Sequence, residues 1–79
     1  MGPIHARVPT RCSQIIKQLR IRGFAETLVR SPYGYFYFTG GETGSWPRHC
    51  VFVCSIRQLT FGQWLAEYEA LKANARGRG

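Results

Sequence analysis

The chain has 79 residues, which allows one domain with a small core, since a chain of this size buries only ~60–65% of its unfolded surface on folding. A hydrophobic content of 44% with 14% aromatics excludes a disordered polymer, and no apolar run is long enough for a membrane span or a secretory leader. The formal charge is +7, nine of the eleven basic residues are Arg, and the only acids are Glu26, Glu42, Glu67 and Glu69, so the charge points to anionic partners, unless codon usage alone explains the Arg excess.

Residues 1–9 carry two prolines and no periodicity and read as a loose arm. The domain proper is expected over 10–74, and 75–79, with Arg76 and Arg78 among glycines, as a solvated basic tail. Thr10 or Ser13 can cap a first helix whose buried stripe is Cys12, Ile15, Ile16 and Leu19. Gly23 followed by Phe24 is its expected stop. A strand follows over 25–30, with Thr27 and Val29 on one face and Glu26, Leu28 and Arg30 on the other.

The organising stretch is 31–41, Ser-Pro-Tyr-Gly-Tyr-Phe-Tyr-Phe-Thr-Gly-Gly, which holds five of the eleven aromatic residues. Pro32 and Gly34 mark a turn, and Tyr35 to Thr39 reads as the central strand of a small sheet. Period-2 geometry puts Phe36 and Phe38 on the core face and Tyr35, Tyr37 and Thr39 on the open one. The glycine-rich link over 40–47 allows close backbone approach, and Trp46 within it is either a lid over the sheet's end or a binding anchor.

A third strand is expected over 48–56, with Cys50, Phe52, Cys54 and Ile56 on one face and His49, Val51, Val53 and Ser55 on the other. Both faces are apolar, as if the strand were covered on both sides or packed on a second copy. The second helix has the strongest local signal. Thr60 and Gln63 form a capping box, Leu59 and Trp64 sit at the staple positions, and Phe61, Trp64, Leu65, Tyr68 and Leu71 form the stripe up to an expected end near Asn74. The fold class is therefore α+β, ordered α-β-β-β-α, with a three-stranded antiparallel sheet and two helices packed on one face.

The chemistry points away from catalysis. His5 and His49 are the only histidines, no Asp is present to orient them, and no spacing pairs them with a carboxylate. Three cysteines cannot complete a disulfide framework, and Cys50 and Cys54 would lie ~13 Å apart along a strand, so a reduced, cytoplasmic protein is expected. His49-Cys50-x-x-x-Cys54 invites a zinc reading, but in a strand the first two point to opposite faces, so no metal or other cofactor is expected.

Binding is the better expectation. The candidate nucleic-acid residues are Arg11, Lys17, Arg20 and Arg22 on the first helix, and Arg30, Arg48 and Arg57 on the sheet side, beside Tyr35 and Tyr37. Exposed aromatics stack bases while Arg holds phosphates, and the ligand could be RNA or DNA. The alternative is a protein-interaction module acting on a host protein through Tyr35, Tyr37 and Trp46, either as a monomer or as a homodimer.

The element order resembles that of the double-stranded RNA-binding domain and of the small HicA-type mRNA interferase toxins. The run Ile15-Ile16-Lys17-Gln18-Leu19-Arg20-Ile21-Arg22-Gly23-Phe24 is similar to the helix-then-Gly-Phe opening of those toxins. The toxins carry a catalytic His on the second strand, where this chain reads Pro32-Tyr33-Gly34-Tyr35; a ribonuclease reading would fall to His49 instead. The RNA-binding domains carry a Lys cluster at the start of the second helix, where this chain reads Thr60-Phe61-Gly62-Gln63. A fuller resemblance is to small proteins of bacterial phages and mobile elements. It is carried by Tyr33-Gly34-Tyr35-x-Tyr37-Phe38-x-Gly40-Gly41, Ser45-Trp46 and Leu59-Thr60-x-x-Gln63-Trp64-Leu65-Ala66-Glu67-Tyr68 and spans most of 12–72. It implies a fold and a genomic setting and no activity.

Overall fold

A computed structural model describes residues 6–76. Helix α1 (Cys12–Ile21) leads into strands β1 (Thr27–Arg30), β2 (Phe36–Thr39) and β3 (Cys50–Val51), and helix α2 (Phe61–Arg76) ends the described chain. The sheet is antiparallel in the order β1-β2-β3, with β2 central. Both helices lie on one face, where Ile15 and Leu19 of α1 and Phe61, Trp64, Leu65 and Tyr68 of α2 bury against Leu28, Phe36, Phe38 and Val51. The α-β-β-β-α architecture is thus the observed one. Among the described residues no helix is long and apolar enough to cross a membrane.

Local chemistry explains each boundary. The cap of α1 is built by Gln14 rather than by Thr10 or Ser13: its Oε1 accepts from the backbone N–H of Thr10 (2.6 Å) and of Arg11 (3.0 Å), satisfying two donors that precede the first turn. The helix stops as expected. Gly23 has φ +83°, its N–H donates to Arg20 O, and the Phe24 N–H reaches back to Leu19 O at 2.9 Å, the paired bonds of a Schellman end. The β1–β2 register sets Leu28 opposite Phe38 and Arg30 opposite Phe36. The full Thr60/Gln63 capping box forms at α2, with Thr60 N–H to Gln63 Oε1 at 2.9 Å and Gln63 N–H to Thr60 Oγ1 at 3.2 Å.

Several boundaries differ from expectation: β1 starts at Thr27 rather than at 25 and β2 at Phe36 rather than at Tyr35, and three further differences matter more. The third strand is two residues long, not nine. After Val51 the chain bends so that Val53 N–H donates to Val51 O, and Cys54 to Ser55 lead into a single 3-10 turn at Ile56–Gln58. Alternation ends there, so Val53 and Ile56 pack partly on the core while Phe52 stays 79% exposed. The arm expected over 1–9 is docked at its inner end: Pro9 is fully buried and the Arg7 carbonyl accepts from Phe61 N–H at 2.8 Å, while 1–5 lie outside the described residues. Helix α2 continues past Asn74 through Arg76, and only 77–79 of the expected tail lie outside the described residues.

A buried polar clamp closes the sheet's end. Glu26, on the same side of the chain as Leu28, is 2% exposed. One carboxylate oxygen accepts from Tyr68 Oη at 2.5 Å and the other from Glu42 N–H at 2.8 Å. Lys72 Nζ lies 3.3 Å from Tyr68 Oη and 4.1 Å over the Phe24 ring. Burial alone would raise the Glu26 carboxyl, but the Tyr68 and Glu42 hydrogen bonds and the Lys72 charge oppose it and hold the group below the usual carboxylate range. Burial and the neighbouring Glu26 charge push the Tyr68 phenol well above its ordinary value. Gly41 is required where the loop meets this carboxylate: its φ is +52° and a Cβ there would overlap Glu26 Oε2.

Candidate nucleic-acid interface

With both helices on the Phe36/Phe38 face, the opposite face of β2 is left uncovered. Tyr35 and Tyr37 stand on it, half-buried by each other, with ring centroids 6.5 Å apart. The residues flanking the short β3 bring two more rings alongside. Phe52 lies 5.4 Å from Tyr35 and His49 lies 6.3 Å from Tyr37, edge to face. Tyr33, at the hairpin turn, is 86% exposed. The turn itself is fixed by Ser31, whose N–H donates to Tyr35 O and whose Oγ accepts from Tyr33 N–H, with Gly34 at φ +91°. The result is a run of rings from Phe52 through Tyr35 and Tyr37 to His49, with Tyr33 lining the depression beside it.

Two depressions border this run. A shallow one of ≈ 260 Å³ lies between Pro32, Tyr35, Tyr37 and His49. A larger cleft of ≈ 490 Å³ opens beside it, between the β3 region and α2, lined by Arg48, His49, Phe52, Glu67 and Leu71 among others. His49 and Cys50 line both, so the two meet along the β3 edge.

The basic residues named from the sequence divide into groups. Arg48 lines the larger cleft together with His49 and Phe52. Arg57 is exposed in the 3-10 turn that follows. Arg30 is not beside Tyr35 and Tyr37: its register partner is Phe36, which puts it on the helix side, where its charge reaches the Cys12 thiol. Arg20 is a structural residue. Its guanidinium donates to Phe24 O (2.9 Å), Glu26 O (2.7 Å) and Thr27 Oγ1 (3.1 Å), tying the α1–β1 link together. Arg22 donates to Gln18 Oε1 at 2.9 Å along its own helix. Arg11 is exposed at the start of α1, and Lys17 shares a separate depression with Arg7, Gln18 and Phe61. Of the sequence candidates, Tyr35 and Tyr37 share one depression and Arg48 lines the adjoining cleft, the two meeting at His49 and Cys50.

Trp46 needs correction as a surface anchor. It is 6% exposed and packs on Phe38 and Tyr68 at 6.4 and 5.7 Å, closing the core from the end of the glycine-rich loop, and its Nε1 has no hydrogen-bond partner. Phe52 is a further exposed ring that sequence alternation does not mark, because a nine-residue strand gives it neighbours on its own face. The signal available was Val51-Phe52-Val53, an apolar run too long for a half-covered edge strand. Cys12, Cys50 and Cys54 are all free, and burial pushes the Cys12 thiol up despite the opposing pull of Arg30. Among the described residues no three His, Cys, Asp or Glu side chains converge as a metal site.

Compared with family models, with curated proteins and with solved structures, the chain matches none. The functional reading accordingly rests on the geometry of the exposed face.

Proposed function

We propose that the protein is a small, non-enzymatic module that binds single-stranded nucleic acid on the open face of its sheet. The observation that carries this reading is the uncovered ring surface of Tyr35, Tyr37, Phe52 and His49 with Arg48 at its border. Unpaired bases present flat apolar faces that stack on such rings, each stack being worth roughly 1–3 kcal/mol, while the phosphates meet a chain of net charge +7. A duplex hides its bases and gains only the electrostatic part. Three free thiols fit work in a reducing compartment such as the cytoplasm.

The test is a fluorescence-anisotropy titration of labelled 12-nucleotide single strands, RNA and DNA, against a duplex of the same length. Single strands should bind more tightly, and affinity should fall with salt along a log–log slope of about −0.7 per phosphate contacted. Phe52→Ala changes a side chain that is 79% exposed, so the fold should survive while affinity drops roughly tenfold. Equal binding of duplex and single strand, unaffected by Phe52→Ala, would refute the aromatic platform. The exposed rings of Tyr33 and Phe52 are also suited to a protein partner. Capture of a defined protein that persists after nuclease, together with no oligonucleotide binding at low salt, would select that reading instead.

A further inference from the structure

The cleft beside the ring surface has a lining that a simple phosphate or a simple cation does not explain. Arg48 and Glu67 both line it, and among the described residues Glu67 is its only carboxylate. A free anion would be repelled by Glu67, and a free cation by Arg48. The ligand that suits both is one that offers hydrogen-bond acceptors and donors from a flat body. Phe52 supplies a ring for that body, exposed over 79% of its surface and backed by Tyr35 at 5.4 Å, and Leu71 adds apolar surface. At ≈ 490 Å³ the cleft falls within the size of small-ligand sites, roughly 300–1,000 Å³. It shares His49 and Cys50 with the depression over the tyrosines, so a strand lying on the rings reaches it without a break.

Among the four bases, one matches the pair of charges. Guanine presents N1–H and an N2 amino hydrogen side by side, which a carboxylate accepts together, and O6 with N7 side by side, which a guanidinium donates to together. Uracil offers a single N–H flanked by two carbonyls that a carboxylate repels. Adenine and cytosine each offer one amino group next to an acceptor nitrogen. We propose that the cleft between β3 and α2 is a guanine subsite, in which Glu67 accepts from the Watson–Crick edge, Arg48 donates to O6 and N7, and Phe52 stacks on the ring. The proposal deepens the single-strand reading and rests on it.

The experiment measures binding of the pentanucleotides UUGUU, UUAUU, UUCUU and UUUUU, in ribose form and as deoxy counterparts, by titration calorimetry at low salt. A further pentamer carries inosine in the central position. Wild type should prefer the guanine pentamer by about tenfold, and inosine, which lacks the N2 amino group, should lose much of that preference. Glu67 is exposed, so Glu67→Gln should leave the melting temperature in place. It should abolish the guanine preference without weakening UUUUU. Equal affinity for all four wild-type pentamers, with Phe52→Ala weakening each of them, overturns the guanine subsite and leaves the stacking platform standing. A guanine preference that survives Glu67→Gln overturns the assignment to this cleft. If no pentamer binds wild type, the single-strand reading falls and the subsite with it.

Discussion

Glu26→Gln is the sharpest probe of what holds the sheet to α2. The substitution keeps the side chain's size and removes one acceptor. Glu42 N–H and Tyr68 O–H both donate to this carboxylate, at 2.8 and 2.5 Å, inside a site that is 2% exposed. A Gln amide has one oxygen for those two donors. If it turns to Glu42, its NH2 faces Tyr68 Oη, which already has Lys72 Nζ at 3.3 Å as a donor. The Tyr68 proton then has no acceptor. Losing one hydrogen bond to a buried charge costs about 1.5–3 kcal/mol. For a domain of this size that lowers the melting temperature by on the order of 10 °C.

The pH dependence gives an independent reading. The folded state holds the Glu26 carboxyl below its ordinary value, so the unfolded chain takes up that proton first as pH falls. The stabilisation is complete above the ordinary carboxylate range and is lost as pH drops through it towards the lower folded value. Thermal melts from pH 7 to pH 3 should show a steep acid limb in wild type and a shallower one in Glu26→Gln. Tyr68→Phe removes the first donor and should shift the limb to higher pH. A Glu26→Gln protein that melts within about 2 °C of wild type at pH 7, with an unchanged acid limb, would refute the clamp.

Further outcomes follow from the packing around the same core. Trp64 is fully buried, edge-on to Phe36 at 5.4 Å, and donates Nε1–H to Ile56 O at 2.9 Å, so Trp64→Ala should cost ~3–5 kcal/mol and leave the chain largely unfolded at 37 °C by circular dichroism. Glu69→Ala, on the exposed side of the same helix, should change stability by under about 0.5 kcal/mol in the same melts. Gly41→Ala combines a left-handed backbone with a Cβ that overlaps the Glu26 carboxylate, and should destabilise by about 1–3 kcal/mol in a urea titration. Arg20→Ala should lower the melting temperature, because three hydrogen bonds go with it. Arg48→Ala should weaken oligonucleotide binding and leave the melt unchanged.

What could be read from the sequence was what is written locally. The Thr60/Gln63 box, the Gly23 stop and the alternation of Tyr35 to Thr39 each depend on residues within a few positions of one another, and each forms as expected. What could not be read depended on distant partners. Glu26 was placed on the Leu28 face by parity, yet its burial depends on Tyr68, 42 residues on, and on the Glu42 amide. Arg20 looked like a free cation because the carbonyls it satisfies belong to a turn whose path is set by β1 pairing with β2. The length of β3 was overestimated because apolar alternation persists through Ile56, while the local bend at Phe52, marked by the Val53 N–H to Val51 O bond, ends the ladder after Val51.

The early end of β3 links the fold to the proposed use. In a sheet ordered β1-β2-β3 the outer side of β3 is an open edge, and an open edge invites pairing with other chains. Two residues of strand, a bend that turns Val53 N–H inward, and Arg48 and Arg57 on either side make this edge a poor template. The same bend frees Phe52 to lie against Tyr35, which creates an exposed apolar patch on a small protein. Such a patch favours self-association, which a net charge of +7 opposes. A polyanion with flat apolar faces meets both conditions together: it neutralises the charge that separates the copies and covers the rings that would join them. Arg48 at the edge of this face and the exposed ring of Phe52 are thus the two features on which the proposed binding turns.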